Sequence, residues 1–394
     1  MEWLYTSVLD VSENSRCLVL FELIFLFILI IIIINGVKEY IYIPFIMDLS
    51  KYKENGITGM ENLGNTCFLN SCMQMINHTY ELNEFFDSSK FKEHLKEDII
   101  ESQATIAWDE LRKVMWSGNG VVTPKKFIHV MHQLANKKGK ELFSGYNQND
   151  MPEFFMFIID CMHTSISRQV KMKISGKVEN MTDKLAVECY KLLQTLYNNE
   201  YSEIVDLYYG IYVNQITDYD GKKTLVLKPE SYFILDLPIM EGNIVKTSIY
   251  DCMNLFIKPE ILEGENAWFN EETKTKQNVR KNVVFWNFPK ILVIVLKRFT
   301  PDGQRKINTK IDFPVENFDL SKYVLGYNPK SYVYDLYGVC NHNGGTNGGH
   351  YSAFVKHASN KWIHFNDNII EHVEDPSKLV TSMAYCLFYR KKNK

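Results

Sequence analysis

The sequence has few cysteines, and none of them form the spaced pairs that bind metals or cycle between thiol and disulfide. Eight cysteines occur in 394 residues, and no two are arranged as Cys-x-x-Cys. This number is too small for a disulfide scaffold, so we expect reduced thiols in a cytosolic environment. The chain also lacks a basic excess, since its formal net charge is -3. Phosphate neutralisation requires clustered lysine and arginine, so this charge argues against a nucleic-acid-binding protein.

Repeats and low-complexity tracts are also absent beyond residue 55. Hydrophobic residues make up 46% of the chain and charged residues 23%, a balance typical of globular rather than disordered proteins. The length of 394 residues predicts two or three domain-sized units and allows a large buried core.

The apolar residues are concentrated near the start of the chain. Residues 18–34 are all Leu, Ile, Val or Phe except for Glu22. With Cys17 included, the run reaches the length of about 18 residues that marks a transmembrane candidate. Acidic residues outnumber basic ones ahead of the run and no small-residue cleavage site follows it, which argues against a signal peptide. We therefore predict an N-terminal segment, residues 1–46, with a transmembrane helix at about 17–34.

The basic residues around this run predict its orientation. Arg16 precedes the run, whereas Lys38, Lys51 and Lys53 follow it, and the more positive side normally faces the cytosol. We therefore expect a single-pass membrane protein whose later residues face the cytosol. Two alternatives remain open: the chain could start at Met47, which would give a soluble cytoplasmic protein, or the run could be a buried helix.

Beyond the first 55 residues the hydrophobic pattern changes from helical to strand-like. Apolar residues recur at helical spacing in 68–76, 154–162 and 184–197. After about residue 210 strand patterns dominate, and Asp220-Gly221 between two of them is a two-residue hairpin signal. Helices followed by antiparallel strands predict an α+β architecture with a cleft between the two parts. The expected strands are 211–217, 223–227, 232–237, 291–298, 331–339, 351–356 and 384–389.

Cys67 has a context that suits a nucleophile. It follows Gly64-Asn65-Thr66 and precedes an apolar helical run, which Asn65 or Thr66 can cap. Cys67 would then lie in the first helical turn, where free N–H groups and the helix dipole lower a thiol pKa. A core cysteine is the alternative, because free cysteines are commonly buried.

A histidine in a glycine-rich loop is a candidate base for this thiol. Residues 341–351 contain four glycines and run into a strand, with His350 at the strand start. Glycine permits close backbone approach to a substrate, and a fixed imidazole beside such an opening can accept the thiol proton. A flexible hairpin tip with an incidental histidine is the alternative, and His342 and His364 are competing candidates.

A third element follows the His350 strand after a turn near residue 360. We expect residues 362–367 to pair antiparallel with that strand. Asn366 or Asp367 could then accept a hydrogen bond from the imidazole and fix its tautomer, as the third member of a triad does. An ordinary turn is the alternative, because Asn and Asp favour turns.

Five stretches, in this order, resemble the ubiquitin-specific proteases. Residues 59–71, Gly-Met-Glu-Asn-Leu-Gly-Asn-Thr-Cys-Phe-Leu-Asn-Ser, resemble the Cys box of that family. Residues 148–154 are similar to its acidic box, and residues 296–299 match a Leu-Lys-Arg-Phe signature. Residues 338–356 resemble its His box, and residues 362–367 resemble the segment with the third catalytic residue. The order and spacing hold from about residue 56 to 390, which makes the resemblance highly specific.

The resemblance implies a papain-like cysteine protease fold composed of thumb, fingers and palm. Residues 56–392 would form the catalytic domain, with a helical thumb at about 56–205, fingers of strands at about 206–285 and an antiparallel palm at about 286–392. Ubiquitin and ubiquitinated proteins are the implied partners, and no cofactor is expected.

The resemblance also implies roles for individual residues. Cys67 would be the thiolate nucleophile, His350 the base and Asn366 the orienting residue, with Asp367 as a supporting candidate. The Asn62 side chain and the Cys67 backbone N–H would bind the oxyanion. The residues implied to contact the basic tail of ubiquitin are Asp150, Glu153, Phe299, Gly349 and Tyr351. Asp150 and Glu153 also fit a capping box ahead of an apolar helix, and both roles are compatible.

The sequence departs from many of these relatives in the fingers. Two Cys-x-x-Cys pairs with zinc spacing are common there, and both are missing here. We therefore predict no zinc and a finger tip that relies on turn chemistry. Two alternatives to an active deubiquitinating protease remain: a ubiquitin-binding module without catalysis, and a protease of the same fold for a ubiquitin-like modifier.

Overall fold

Helices dominate the described chain up to residue 208, as the apolar spacing predicts. The computed structural model describes residues 47–140, 143–346 and 348–392. Its helices are α1 (Cys67–Asn77), α2 (Tyr80–Asp87), α3 (Lys90–His94), α4 (Glu101–Trp116), α5 (Lys125–Lys137), α6 (Met151–Ile166), α7 (Met181–Glu200), α8 (Glu203–Tyr208) and α9 (Ile249–Phe256).

Strands form most of the remaining structure. They are β1 (Thr58–Met60), β2 (Gly120–Val122), β3 (Gly210–Asp218), β4 (Thr224–Tyr232), β5 (Leu235–Pro238), β6 (Met240–Glu241), β7 (Ile244–Val245), β8 (Glu260–Leu262), β9 (Trp268–Asn270), β10 (Thr275–Gln277), β11 (Val279–Asn287), β12 (Ile291–Lys297), β13 (Phe318–Asp319), β14 (Val333–Gly345), β15 (Gly348–Lys356), β16 (Trp362–Asn366), β17 (Ile369–Val373) and β18 (Ala384–Lys391). The predicted α+β class is therefore confirmed.

A large sheet separates two hydrophobic cores. Its strand order is β17-β16-β15-β14-β18-β12-β5 with β13 beside β14, and every pairing is antiparallel except β12 with β5. Strand β12 is apolar along almost its whole length because its alternate side chains enter different cores. Ile291, Val293 and Val295 face the core that contains α1, α4 and α6, whereas Leu292 and Ile294 face the core that contains α9.

A small antiparallel sheet, β4-β3-β11-β8, has its own core against α7. The hairpin between β3 and β4 forms as predicted, but its turn is longer than two residues. The Asp218 carboxylate accepts hydrogen bonds from the N–H groups of Lys222 and Lys223, and Gly221 has a φ of 75°. This side-chain bonding stabilises the wider loop, so the two-residue turn expected at Asp220-Gly221 was wrong in length.

Arg298, from the Leu-Lys-Arg-Phe signature, joins β18 to the segment that follows β12. Its side chain is fully buried, and its Nε donates to the carbonyl of Ala384 at 2.6 Å. Its Nη1 donates to the carbonyls of Ile307 and Thr309 at 2.9 and 2.8 Å. Buried carbonyls need such partners, so this arginine holds the chain that leads towards the candidate site.

Two further predictions concern the transmembrane helix and the absence of a zinc site. Within 47–140, 143–346 and 348–392, no helix is long and apolar enough to cross a bilayer. The helix predicted at about 17–34 lies outside these residues. The described cysteines, seven in all, are free and buried. No group of three or more His, Cys, Asp or Glu side chains in this part of the chain could hold a metal ion.

Candidate active site

Cys67 is the first residue of α1, in the first helical turn as predicted. Thr66 occupies the N-cap position, but its side chain does not cap the helix. Its hydroxyl instead accepts a hydrogen bond from the N–H of Leu63 at 3.0 Å and donates to Oδ1 of Asn62 at 3.3 Å. The hydroxyl therefore stabilises the loop before α1 and leaves the helix N–H groups directed at the thiol.

The pKa of the Cys67 thiol is raised, contrary to the expectation from its helical position. Burial is the main cause, because only 4% of the residue is exposed. The N–H groups of Tyr351, Phe68 and Cys67 itself lower the pKa, whereas the nearby Asp367 carboxylate raises it. Desolvation thus outweighs the helix terminus, and the empty site holds a protonated thiol.

Asn62 is fixed at both ends of its side chain. Its Oδ1 accepts hydrogen bonds from the N–H groups of Gly64 at 3.0 Å and Thr66 at 3.1 Å. Its Nδ2 donates to Oδ2 of Asp367 at 2.9 Å. The other carboxylate oxygen of Asp367 accepts a hydrogen bond from Nδ2 of Asn70 at 2.8 Å. This set, the Asn62–Asp367–Asn70 network, connects the Cys67 loop and α1 to the turn after β16.

His350 lies on β15, and Asn366 is the last residue of the neighbouring strand β16. The His350 Nε2 and the Asn366 Oδ1 are 2.5 Å apart, within hydrogen-bond distance. Asp367 is farther away, since its Oδ2 lies 4.0 Å from the same nitrogen. Asn366 is therefore the residue positioned to orient the imidazole, and the Nδ1 atom remains available on the other side of the ring.

The Cys67 thiol lies beside the strand that carries His350, and no hydrogen bond joins the two side chains in the described part of the chain. The thiol contacts the backbone N–H of Tyr351, the residue after His350. A cleft of about 470 Å³ opens at His350, and Cys67 is not among the residues that line it. It is lined by Glu61, Asn62, His350, Asn366, Asp367, Asn368 and Ile369. The competing histidines do not line this cleft: His342 is buried, and the ring of His364 pairs with Glu371 at 3.0 Å.

A family model described as "Ubiquitin carboxyl-terminal hydrolase" matches residues 58–389. The chain belongs to this hydrolase family.

Curated relatives of this chain include Ubiquitin carboxyl-terminal hydrolase Usp2 of Drosophila melanogaster, which is 32% identical over 343 residues. That alignment covers 86% of this chain and 35% of the relative. Ubiquitin carboxyl-terminal hydrolase 2 of Homo sapiens is 32% identical over 342 residues, with 85% of this chain and 55% of the relative covered. The chain thus spans between about a third and about half of the length of these relatives.

Two solved structures of the SAGA DUB module Ubp8/Sgf11/Sus1/Sgf73 share the fold. One, bound to monoubiquitin, is 22% identical with a TM-score of 0.67, and the match covers 96% of the hydrolase and 76% of that chain. The other, bound to ubiquitin aldehyde, is 23% identical with a TM-score of 0.66 and covers 96% and 77%.

Asp150 is the N-cap of α6, as predicted, but the Glu153 side chain forms no described hydrogen bond back to the Asp150 N–H, so only half of the predicted capping box is present. Its Oδ1 accepts a hydrogen bond from the N–H of Glu153 at 3.2 Å. Its Oδ2 accepts from the hydroxyls of Tyr385 at 2.8 Å and Tyr351 at 3.3 Å. Burial raises the pKa of Asp150, and burial followed by the Asp150 charge raises that of the exposed Glu153. The Asp150 carboxylate is thus engaged in hydrogen bonds within the fold, whereas the Glu153 carboxylate is exposed to solvent.

Phe299 lies behind this group rather than at the cleft. Its ring packs against His342 and Tyr385, each with centroids 5.7 Å apart. Burial and then the charge of Lys306 lower the pKa of His342 to about 4, so this histidine is a neutral packing group. Phe299, Asp150 and Tyr351 therefore come together in one cluster, separate from the residues that line the cleft.

Sequence reasoning missed several residues that hold the site of the hydrolase together. Gln148 accepts a hydrogen bond from the N–H of Gly349 at 2.8 Å, and so pins the tip of the β14–β15 hairpin. Asn70 and Tyr385 complete the two networks around Asp367 and Asp150. Gln148 lies in the acidic box and Asn70 lies in the Cys box. Asn70 is a polar residue one helical turn after the cysteine, and this spacing is a signal that could have identified it.

Proposed function

We propose that this chain is a thiol protease that hydrolyses the bond after the C-terminal glycine of ubiquitin. The observation that carries the proposal is a cleft lined by Asn62, His350 and Asn366. The Cys67 thiol contacts the backbone of Tyr351, the residue next to His350. These residue types suit one chemistry: a nucleophile, a base, an orienting amide and a donor for an oxyanion. The family membership of the chain supports the same reaction.

The first half of the proposed reaction forms a thioester. His350 accepts the thiol proton on Nδ1, because its Nε2 is paired with Asn366. The thiolate of Cys67 then attacks the carbonyl carbon of the terminal glycine. The pKa of the thiol is raised in the empty site, so proton transfer belongs to the substrate complex, where the catalytic contacts tighten.

Asn62 and the Cys67 backbone N–H would stabilise the tetrahedral intermediate. An amide nitrogen carries two hydrogens, and Asp367 accepts only one from Asn62 Nδ2. The second remains for the oxyanion. Asp367 thus acts as a positioning residue in this proposal, since it holds the donor in place before substrate arrives.

The second half of the reaction releases the products. The imidazolium of His350 gives its proton to the leaving lysine amine, and the C–N bond breaks. Water, deprotonated by the same imidazole, then hydrolyses the thioester and regenerates the Cys67 thiol.

Recognition of the ubiquitin tail would take place between α6 and the β14–β15 hairpin. The tail is basic before its glycines, and Glu153 offers an exposed carboxylate on the first turn of α6. Gly349 and Tyr351 would contact the tail backbone. Asp150 and Phe299 would support that surface from behind, because their side chains are packed against Tyr385.

We propose the same three-part division of residues 56–392 that the resemblance implies. The thumb would contain α1 to α7, and the palm would be the large sheet. Strand β5 lies within the range expected for the fingers, but it pairs with β12, so we assign it to the palm. The fingers then consist of the small sheet and the β9–β10 hairpin, whose turn is held by hydrogen bonds from the N–H groups of Glu272 and Thr273 to Asn270.

The test is labelling of the full-length chain with a ubiquitin probe that carries a C-terminal thiol-reactive group. We expect an adduct on Cys67 that Cys67→Ala abolishes, while that variant still binds ubiquitin. A folded protein that binds ubiquitin without forming an adduct would be a binding module and would refute the proposal. An adduct formed only with a ubiquitin-like modifier would show that this modifier, rather than ubiquitin, is the substrate.

We also propose that the apolar run at about 17–34 anchors the chain in a membrane with the protease in the cytosol. The length of the run and the basic residues after it support this orientation. The check is extraction of membranes from expressing cells with alkaline carbonate. Release of the full-length chain into the soluble fraction would contradict the anchor and favour a start at Met47.

A further inference from the structure

A second cavity lies between the helices, the small sheet and the large sheet. Its volume is about 340 Å³, which is in the range of small-molecule sites, and it shares no lining residue with the active cleft. Its walls come from α7, α8 and the ends of β3, β4, β11 and β18. The proposed catalytic mechanism makes no use of this cavity.

The walls of this cavity are aromatic. Tyr190 meets Trp286 edge to face, with ring centroids 5.9 Å apart, and Tyr209 and Tyr332 complete the lining. The hydroxyls of Tyr190, Tyr209 and Tyr332 form no hydrogen bond with any residue in the described part of the chain. Aromatic surfaces of this kind stack on planar rings, and unused hydroxyls at the same site can bind polar atoms of a ligand.

Two lysines enter the same cavity side by side. The backbone N–H of Lys391 donates to the carbonyl of Lys290 at 2.8 Å, which places the two residues next to each other. The Nζ of Lys391 lies 3.8 Å from the centre of the Tyr332 ring. Burial, followed by repulsion from Lys290, lowers the pKa of Lys391 to about 8.

No carboxylate compensates these two positive charges. Neither lysine has an ion pair with any described residue within 4.0 Å. Asp206 also lines the cavity, but its carboxylate accepts hydrogen bonds from the hydroxyls of Tyr197 and Tyr201, both at 2.7 Å. Lys391 is half-buried whereas Lys290 is exposed, so the desolvation cost falls on Lys391, and an anion bound between the two ammonium groups would offset it.

We propose that this cavity binds a small organic anion with a planar aromatic body. The anionic group would contact the ammonium groups of Lys290 and Lys391, and the planar body would lie against Tyr190 and Tyr209. A simple inorganic anion would leave the aromatic walls unused, and a neutral aromatic compound would leave the lysine pair unpaired. Both features of the cavity point to one ligand class, independently of the proposed protease activity.

The test uses 1-naphthyl phosphate as the probe and isothermal titration calorimetry of the full-length chain. We expect the probe to bind about tenfold or more tightly than either 1-naphthol or inorganic phosphate, because each lacks one half of the contacts. Equal binding of 1-naphthol would refute the role of the lysines. Equal binding of inorganic phosphate would refute the role of the aromatic walls, and absence of probe binding would overturn the proposal.

Substitutions of the two lysines test whether the probe binds in this cavity. Lys391→Met and Lys290→Met, which keep the length of the side chain, should each weaken the probe about tenfold. Lys223→Met, in the exposed β3–β4 turn, is the matched control and should leave binding unchanged. Thermal unfolding followed by circular dichroism shows that each variant is folded. Undiminished binding in both cavity variants would place the naphthyl compound elsewhere and would refute this site.

Discussion

At the residue scale, the Asp367 side chain connects more residues of the candidate site than the side chains of Cys67 and His350 do. Asp367 has a left-handed backbone conformation with a φ of 53°, which aspartate tolerates better than most residues. This conformation turns the chain after β16 and directs the carboxylate at Asn62 and Asn70. Residues 366–367 therefore form a turn and also position side chains of the candidate site, so the two interpretations of this segment are compatible.

Asp367→Ala should impair catalysis more than binding. Loss of the carboxylate frees the Asn62 amide, so the oxyanion loses a preorganised donor, and kcat should fall about 100-fold with KM little changed. The measurement is hydrolysis of a ubiquitin C-terminal amide with a fluorescent leaving group. Glu374→Ala, which removes an exposed carboxylate just after β17 and away from the cleft lining, is the matched control. A variant whose KM rises while kcat stays constant would contradict a role in positioning Asn62.

Cys67 alkylation should report its raised pKa. In the absence of substrate, the rate of reaction with iodoacetamide should keep rising through and above pH 9, the ordinary range of a thiol, because burial disfavours the thiolate. Asp367→Asn removes a negative charge that raises this pKa, so its rate profile should shift to lower pH. Mass spectrometry measures modification at Cys67, and the buried Cys72 and Cys340 are internal controls. A plateau at neutral pH in the unsubstituted chain would show that the thiolate is already formed.

At the element scale, the β14–β15 hairpin is held by Gln148. Its backbone at Gly348 has a φ of 138°, a conformation that side chains rarely adopt. A Cβ atom placed there would lie 2.0 Å from Oε1 of Gln148. The close approach of Gln148 therefore explains why position 348 is a glycine. The same contact fixes β15, the strand that carries His350.

Gly348→Ala should disturb the hairpin while Gly345→Ala should not. A Cβ at Gly345 meets no atom within 4 Å, so this substitution is a matched control in the same loop. The strain and the clash at position 348 cost on the order of 1–3 kcal/mol, enough to displace His350 and lower kcat/KM about tenfold or more. Turnover of the ubiquitin substrate measures both variants. Equal activities would show that the Gln148 contact does not position the base.

The elements themselves were largely predictable, whereas their side-chain partners were not. Apolar spacing identifies the regions of α1 and α6 and the strand β12, because burial imposes the helical period of 3.6 or an unbroken apolar run on the sequence. The Cys and His boxes identify the residues at the cleft. The network around Asp367 could not be foreseen, since it depends on a left-handed turn and on residues distant in sequence. The direction of the Cys67 pKa depends on burial, which sequence spacing does not reveal.

At the scale of the whole molecule, buried histidines join the first helices to the large sheet. The His78 ring lies 5.7 Å from Trp116 and 6.0 Å from His357, measured between centroids, and it is fully buried. Its Nδ1 is 2.9 Å from the carbonyl of Gln74. Burial lowers the pKa of His78 to about 3, so the folded protein keeps this ring neutral.

Acid should therefore destabilise the fold through His78. Its folded-state pKa lies below the unfolded value, so the unfolded chain binds a proton first as pH falls below about 6.5. Between about pH 7 and about pH 5 the free energy of unfolding should fall by about 2 kcal/mol from this group. Urea unfolding at both pH values measures the loss. His78→Gln should reduce the pH dependence, whereas the exposed His129→Gln should not; equal dependence in all three proteins would contradict this assignment.

The order of the strands has a consequence for how the protein is made. Strand β18 follows every other strand of the large sheet along the chain, yet it lies between β14 and β12. While the ribosome is still synthesising residues 384–391, the middle of the sheet is open and two strand edges are unpaired. Cys67, in α1, is synthesised long before this gap in the sheet closes. We therefore expect a nascent chain to lack the proposed activity until β18 has been translated, and one that stalls before it to expose aggregation-prone strand edges.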